Sequence, residues 1–241
     1  SIKTLSVNGR IWGVGIGPGD PDLITLKALK VLEVADVVAY PTLERGESLV
    51  RSIAAQYLNR NIEEIVISVP MVTDRYPAQQ AYNKAAVSIG NAVENGKSVA
   101  ILCEGDPFFF GSFMYLYSRL SNQYEIQIIP GITSISASSA ELGLPIGARN
   151  DLVMVIPAPL DELVLRQKIL ETDVSIIIKV GSHLNKVKRV ITGLGLIENA
   201  HYIERATMAN QCIKRLSQIK DNNAPYFSII IIRRSGEVLE L

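Results

Sequence analysis

The amino-acid sequence predicts an α/β fold, and three observations lead there. From Ile11 onward, short apolar runs alternate with longer segments of helical period, an alternation foreign to a helix bundle or an all-β sandwich. Several short runs are unbroken and β-branched, such as Ile176-Ile177-Ile178 and Ile229 to Ile232, which suits central strands covered on both faces. The longer segments carry recognisable helix ends.

Taken in chain order, strands are expected at 11–16, 36–40, 64–69, 98–103, 124–129, 152–156, 174–180, 200–204 and 226–232. After the first, Asp20-Pro21-Asp22 supplies an N-cap, a first-turn proline and a first-turn acid, so a helix is expected from there to about Ala35. The segment Ala78 to Asn95 spaces Ala81, Ala85, Ile89 and Ala92 along one face. It stops at Gly96, a residue suited to the left-handed position after a helix, and reads as scaffold only. No repeat, low-complexity tract or charged linker marks a boundary. The polar stretch Ser121-Asn122-Gln123 is the best place for the chain to cross between sheets, giving expected domains at 1–122 and 123–241.

A chain of 241 residues with 48% apolar and 20% charged content buries real cores and is not disordered. Lys plus Arg equals Asp plus Glu at 24 each, so no global field draws it to nucleic acid or an acidic membrane, and neither is an expected partner. Cys103 and Cys212 make no disulfide framework and lack metal-ligand spacing, while His183 and His201 stand apart, so no protein-bound metal is expected. The start from Ser1 to Arg10 has no signal-like apolar run and no later stretch reaches membrane-spanning length; a cytoplasmic protein is expected.

Ligands of open α/β sheets bind outside the carboxyl ends of strands, and three such ends carry unusual loops. They are Gly15-Ile16-Gly17-Pro18-Gly19-Asp20, Glu104-Gly105-Asp106-Pro107 and Pro130-Gly131-Ile132-Thr133-Ser134. The first invites a dinucleotide reading that fails in detail. Asp20 replaces the third glycine, the acid of the second strand, Asp36, stands at its start rather than its tip, and no P-loop lysine follows. Asp20, Glu104 and Asp106 would repel a pyrophosphate and tolerate a cation, so a nucleotide-like ligand here should lack phosphates. S-adenosylmethionine (SAM), with its ammonium and sulfonium, fits that description. Each loop taken singly is also readable as a plain turn, since Gly-Asp-Pro is a common turn sequence.

Together the loops resemble those of the tetrapyrrole methylases, the class III methyltransferases, in order and spacing over nearly the whole chain. Val14 to Asp20 resembles the family's strand with G-x-G-P-G-D, Gly105 to Pro107 its G-D-P, and Pro130 to Ser134 its P-G-x-T/S-S. Within the family, Cys103 to Pro107 running into Gly111 to Leu116 is similar to the precorrin-2 C20-methyltransferase subgroup. So are Lys179-Val180-Gly181, Glu204 to Thr207 and Pro225 to Ser228.

The resemblance implies two α/β domains with SAM in the cleft between them, a homodimer, and a tetrapyrrole substrate methylated on carbon. It implies that Pro18, Gly105, Asp106, Phe109, Thr133 and Ser134 contact the cofactor, with Val180 and Ala206 walling the adenine. Glu104 is the candidate general base for the proton that leaves the methylated carbon, against the competing reading of a solvated or helix-capping acid. Arg45, Arg51, Arg75 and Arg149 are available to meet substrate carboxylates. Phe108, Phe109 and Phe110 are either an apolar floor for a macrocycle or simply core. The rivals are another acceptor within the family, such as a later corrin or a diphthine-type substrate, and a non-catalytic SAM- or tetrapyrrole-binding module.

Overall fold

The computed structural model describes residues 9–43, 47–70 and 72–234. It is mixed α/β and divides into two compact units, the first running through Thr133 and the second beginning at Ser134.

The first unit is one sheet of five strands in the order β3-β2-β4-β1-β5. These are β1 (Ile11–Gly15), β2 (Val37–Leu43), β3 (Glu63–Val69), β4 (Val99–Cys103) and β5 (Ile126–Ile129). Every pairing among them is parallel. Successive side chains alternate between faces. Trp12, Val14, Val38, Ala100 and Leu102 pack with helices α1 (Leu26–Val34) and α2 (Leu49–Ala54) on one face. Ile11, Val37, Ala39, Val99, Ile101 and Cys103 pack with α3 (Tyr76–Glu94) and α4 (Phe113–Leu120) on the other. Burial on both faces is why β1 and β4 are apolar throughout. The chain leaves β1 for the α1 layer and leaves β4 for α4 on the opposite face. Neighbouring strands thus send their connections apart, and a crevice opens between them.

Two expectations shift here. Asp20 accepts the Asp22 N–H at 2.9 Å but caps only the 3-10 turn Pro21–Leu23. Ile24 is extended, and Thr25 Oγ1, accepting from the Ala28 N–H at 3.1 Å, starts α1 properly. The stretch Ser121-Asn122-Gln123 only links α4 to β5. That strand still covers the edge of β1, with Ile126 opposite Ile11, so the division into units follows β5 rather than preceding it.

The second unit is a mixed sheet in the order β6-β7-β10-β8-β9. Its strands are β6 (Val153–Pro157), β7 (Val174–Ile178), β8 (Ala200–Glu204), β9 (Cys212–Arg215) and β10 (Ser228–Arg233). β6 runs parallel to β7, while β10 is antiparallel to both β7 and β8, so β7 and β8 point the same way. Helices α6 (Glu162–Glu171) and α7 (Leu184–Gly193) cover one face through Leu165, Ile169, Leu184 and Val187. Helix α5 (Ser134–Leu142) covers the other through Ile135 and Ala137. The unexpected strand is β9, an edge whose last three residues are exposed.

Candidate functional site

At the carboxyl end of the first sheet the loops after β1, β4 and β5 are fastened backbone to backbone. The Ile16 N–H donates to Cys103 O at 2.8 Å. Gly17 and Gly105 exchange a pair of such bonds, 3.3 Å from Gly17 N and 2.9 Å from Gly105 N, with φ of 83° and 61° that suit glycine. A Cβ on Gly15 would lie 2.6 Å from Gly131 N and 2.7 Å from Gly105 O; one on Gly131 would lie 2.0 Å from Gly105 O. Only glycines allow three backbones to meet so closely.

Asp106 completes the brace. Its Oδ1 accepts the Gly131 N–H at 2.9 Å and its Oδ2 the Phe108 N–H at 3.0 Å. Around this knot Pro18 is buried, while Gly105, Thr133 and Ser134 are half-buried, Ser134 opening α5. Phe108, Phe109 and Phe110 are exposed, not core, and Phe109 meets Phe110 edge-on with centroids 5.0 Å apart. The loops at 15–25, 104–112 and 130–134 hold Asp20, Asp22, Glu104 and Asp106 and neither lysine nor arginine. This donor set is unsuited to phosphate and compatible with a cationic, phosphate-free nucleoside such as SAM.

Glu104 is half-buried at the tip of β4, and burial pushes its carboxyl above the ordinary carboxylate range. It lines a cavity of about 30 Å³ together with Tyr82, Cys103, Ser112, Phe113 and Leu116. Tyr82 comes from α3, the helix that the sequence presented only as scaffold. Burial pushes its phenol up, and Ser112 beside it pulls the other way. Its position on the stripe with Ala85, Ile89 and Ala92 was the available signal: a hydroxyl on an apolar face needs a partner. The Cys103 thiol is pushed well up, by desolvation first and then by Glu104, and is no nucleophile.

In the second unit, Val180 and Ala206 are both buried, just beyond the ends of β7 and β8. Each is flanked by residues held at positive φ: Lys179 at 57° and Gly181 at 39°, then Arg205 at 49° and Thr207 at 70°. Segment 224–227 ties down both turns, the Arg205 N–H donating to Phe227 O at 2.8 Å and the Ala224 N–H to Gly181 O at 3.0 Å. Left-handed backbone at non-glycine residues costs free energy and gathers at ligand clamps.

The arginines divide. Arg51 is paired with Glu64, which also accepts from the Tyr40 hydroxyl at 3.3 Å, so its charge is already answered. Arg75, just before α3, and Arg149, at a φ of 49°, are exposed; Arg45 lies outside the described residues. Asp36 is structural, its Oδ2 accepting the Ser98 N–H at 2.8 Å where β2 and β4 begin. Among the described residues no three His, Cys, Asp or Glu side chains gather to hold a metal, and no helix is long and apolar enough to cross a membrane.

The profile of the Tetrapyrrole (Corrin/Porphyrin) Methylases matches residues 10–219, taking in the loops of both units. The chain belongs to the tetrapyrrole methylases. Among relatives of this tetrapyrrole methylase, the precorrin-2 C(20)-methyltransferase of Sinorhizobium sp is 36% identical over 232 residues, covering 93% of this chain and 95% of the relative. The cobalt-precorrin-2 C(20)-methyltransferase of Salmonella typhimurium is 30% identical over 237 residues, covering 97% of this chain and 100% of the relative. The fold is that of uroporphyrin-III C-methyl transferase from Thermus thermophilus complexed with S-adenosyl homocysteine. The TM-score is 0.68 at 23% identity, covering 93% of this chain and 97% of that one.

Proposed function

We infer that this tetrapyrrole methylase is a SAM-dependent C-methyltransferase acting at C20 of precorrin-2 or its cobalt-containing counterpart in cobalamin biosynthesis. The observation that carries this is similarity along nearly the full length of both partners to two enzymes named for that position. The acidic, lysine-free and arginine-free loops support SAM as the nucleoside.

When bound, SAM supplies a methyl already activated by its sulfonium. The protein therefore needs no nucleophile of its own, consistent with the inert Cys103. What the chain contributes is alignment and exclusion of water, worth up to about 7–11 kcal/mol when the reacting atoms are well placed. In this reading Pro18, Gly105, Asp106, Phe109, Thr133 and Ser134 hold the cofactor's ribose and amino-acid end. Val180 and Ala206 read the adenine, and the positive-φ turns around them aim backbone groups rather than charges. The exposed Phe108, Phe109 and Phe110 offer a flat macrocycle an apolar surface. Glu104 takes the proton that leaves C20 as the carbon–methyl bond forms. The reading further includes a homodimer working in the cytoplasm.

The test is to incubate the protein with SAM and, in parallel, metal-free precorrin-2 or cobalt-factor II, and to look by mass spectrometry for one added methyl. Addition at C20 of either substrate is the expected result. Failure with both, while SAM binds by calorimetry, would move the assignment to another acceptor or to a binding module.

A further inference from the structure

The turn that follows β8 is held in a backbone shape that its residues do not favour. Residues 205–208 form a β-turn closed by the Met208 N–H, which donates to Arg205 O at 3.0 Å. Thr207, the third residue of that turn, has a φ of 70°. The position ordinarily goes to glycine or asparagine, and a β-branched residue stays there only if its surroundings enforce it. Two side chains do so. Gln211 Oε1 accepts the Thr207 N–H at 2.6 Å. On the other flank, Glu204 Oε1 accepts from the buried Tyr202 hydroxyl at 2.6 Å and Oε2 from Arg205 Nη1 at 3.0 Å. Successive residues of a strand point to opposite faces, so Glu204 and Arg205 meet because Arg205 leaves the strand at a φ of 49°.

The Gln211 bond also has a direction. A peptide is planar and trans, so its N–H and C=O point opposite ways. Holding the Thr207 N–H toward Gln211 therefore aims the Ala206 carbonyl away from it. Without that bond the 206–207 peptide is free to flip into the commoner turn with a negative φ at threonine, which reverses the carbonyl. Among the described residues neither this carbonyl nor the Ala206 N–H has a backbone partner, although Ala206 is buried. A neighbouring N–H and C=O suit the edge of a 6-aminopurine, one donating to its ring nitrogen and the other accepting from its amino group. The Gln211 amide is itself oriented. Its Nε2 donates to Glu141 Oε2 at 3.1 Å, and since a carboxylate only accepts, Oε1 is the atom left to face Thr207. Glu141 lies on α5, the helix that opens at Ser134.

We propose that Gln211 is a positioning residue for the adenine: oriented by Glu141, it sets the direction of the Ala206 carbonyl and with it the preference for a 6-amino over a 6-oxo purine. The proposal rests on Ala206 reading the adenine of SAM, as inferred above.

Calorimetry with two unreactive probes tests it: S-adenosylhomocysteine and its 6-oxo counterpart, S-inosylhomocysteine. Gln211→Ala is expected to weaken the first about tenfold and leave the second nearly unchanged, so discrimination between them shrinks about tenfold. An exchange of the pair keeps the test open if that variant does not fold. Gln211→Glu alone sets two carboxylates against each other and should lose discrimination, while adding Glu141→Gln restores a donor facing a carboxylate and should recover it. Thr172→Ala is the control for lost stability. It removes a buried hydroxyl that bonds Leu152 O and Val174 O at the amino end of β7, and both affinities should stay at wild-type values. Equal loss of both affinities in Gln211→Ala, or no recovery in the exchanged pair, would overturn the proposal. If the wild type binds S-adenosylhomocysteine but methylates no tetrapyrrole, the acceptor reading fails alone, and the ratio of the two affinities still decides the role of Gln211. If it binds neither probe, the SAM reading falls and this proposal with it.

Discussion

Gly131→Ala is expected to loosen the junction of the three loops more than any other single methyl added there. The new Cβ would sit 2.0 Å from Gly105 O and 2.8 Å from Gly15 Cα, both backbone atoms with no rotamer to escape into. To regain ordinary contact the Gly105 carbonyl must retreat by about 1.4 Å in a region packed like a crystal. That carbonyl accepts the Gly17 N–H at 3.3 Å, so the retreat costs the bridge between the first two loops. Crowding contributes about 1–3 kcal/mol and the lost hydrogen bond about 1 kcal/mol, a total of roughly 2–4 kcal/mol. Urea unfolding should show a lower midpoint at unchanged slope, and calorimetry should show SAM affinity reduced about tenfold or more. Gly111→Ala is the control. Its nearest neighbours would lie at 3.6 Å, so its stability should stay within about 0.5 kcal/mol of wild type. Equal stability of Gly131→Ala and Gly111→Ala, with wild-type SAM affinity, would refute the idea that close backbone packing shapes the site.

Glu104→Gln should slow turnover while leaving SAM affinity intact, read by single-turnover assay and calorimetry. It should also stabilise the fold at neutral pH. The folded carboxyl lies above its unfolded value of 4.5, so the contribution of Glu104 is fully present below pH 4.5 and is lost as pH rises through the folded value. Unfolding midpoints of variant and wild type should therefore converge in acid and separate as pH rises. Asp106→Ala removes both loop bonds and should weaken SAM binding before it affects the rate at saturating cofactor; wild-type affinity by calorimetry would contradict this. Asp36→Ala should cost about 1–3 kcal/mol by leaving the Ser98 N–H without its carboxylate, with SAM affinity unchanged, and a fall in affinity would revive a ribose role for Asp36.

Much of the architecture was legible because burial writes itself into composition. β1, β4, β7 and β10 are buried on both faces nearly throughout, and the isoleucine runs of β7 and β10 announced those two most plainly. β9 was not legible, because Cys-Ile-Lys-Arg on an open edge meets little that demands apolar side chains. The break at Ile24 was hidden because Asp20-Pro21-Asp22 is as good a cap for one turn as for a helix, and Thr25 starts the real one. The loops themselves stood out by their glycines and acids. Their mutual bracing did not, since the Asp106 to Gly131 bond spans 25 residues of sequence and depends on β4 and β5 flanking β1. Tyr82 escaped notice for the same reason. Its helix looks sufficient as an apolar stripe, and only the fold brings that stripe up to Glu104.

The place of β10 bears on how the chain is made. It is the last strand described, yet it lies in the middle of its sheet, between β7 and β8. During synthesis the first sheet has all its strands once β5 has emerged, and that unit is free to fold. The second has the inner edge of β7 unpaired until residues 228–233 follow about fifty residues later, on the order of 2.5–10 s at ordinary elongation rates, and that of β8 for about half as long. Through that interval the isoleucines of β7 have only β6 beside them, which makes the nascent second unit the stretch on which a chaperone has most to do.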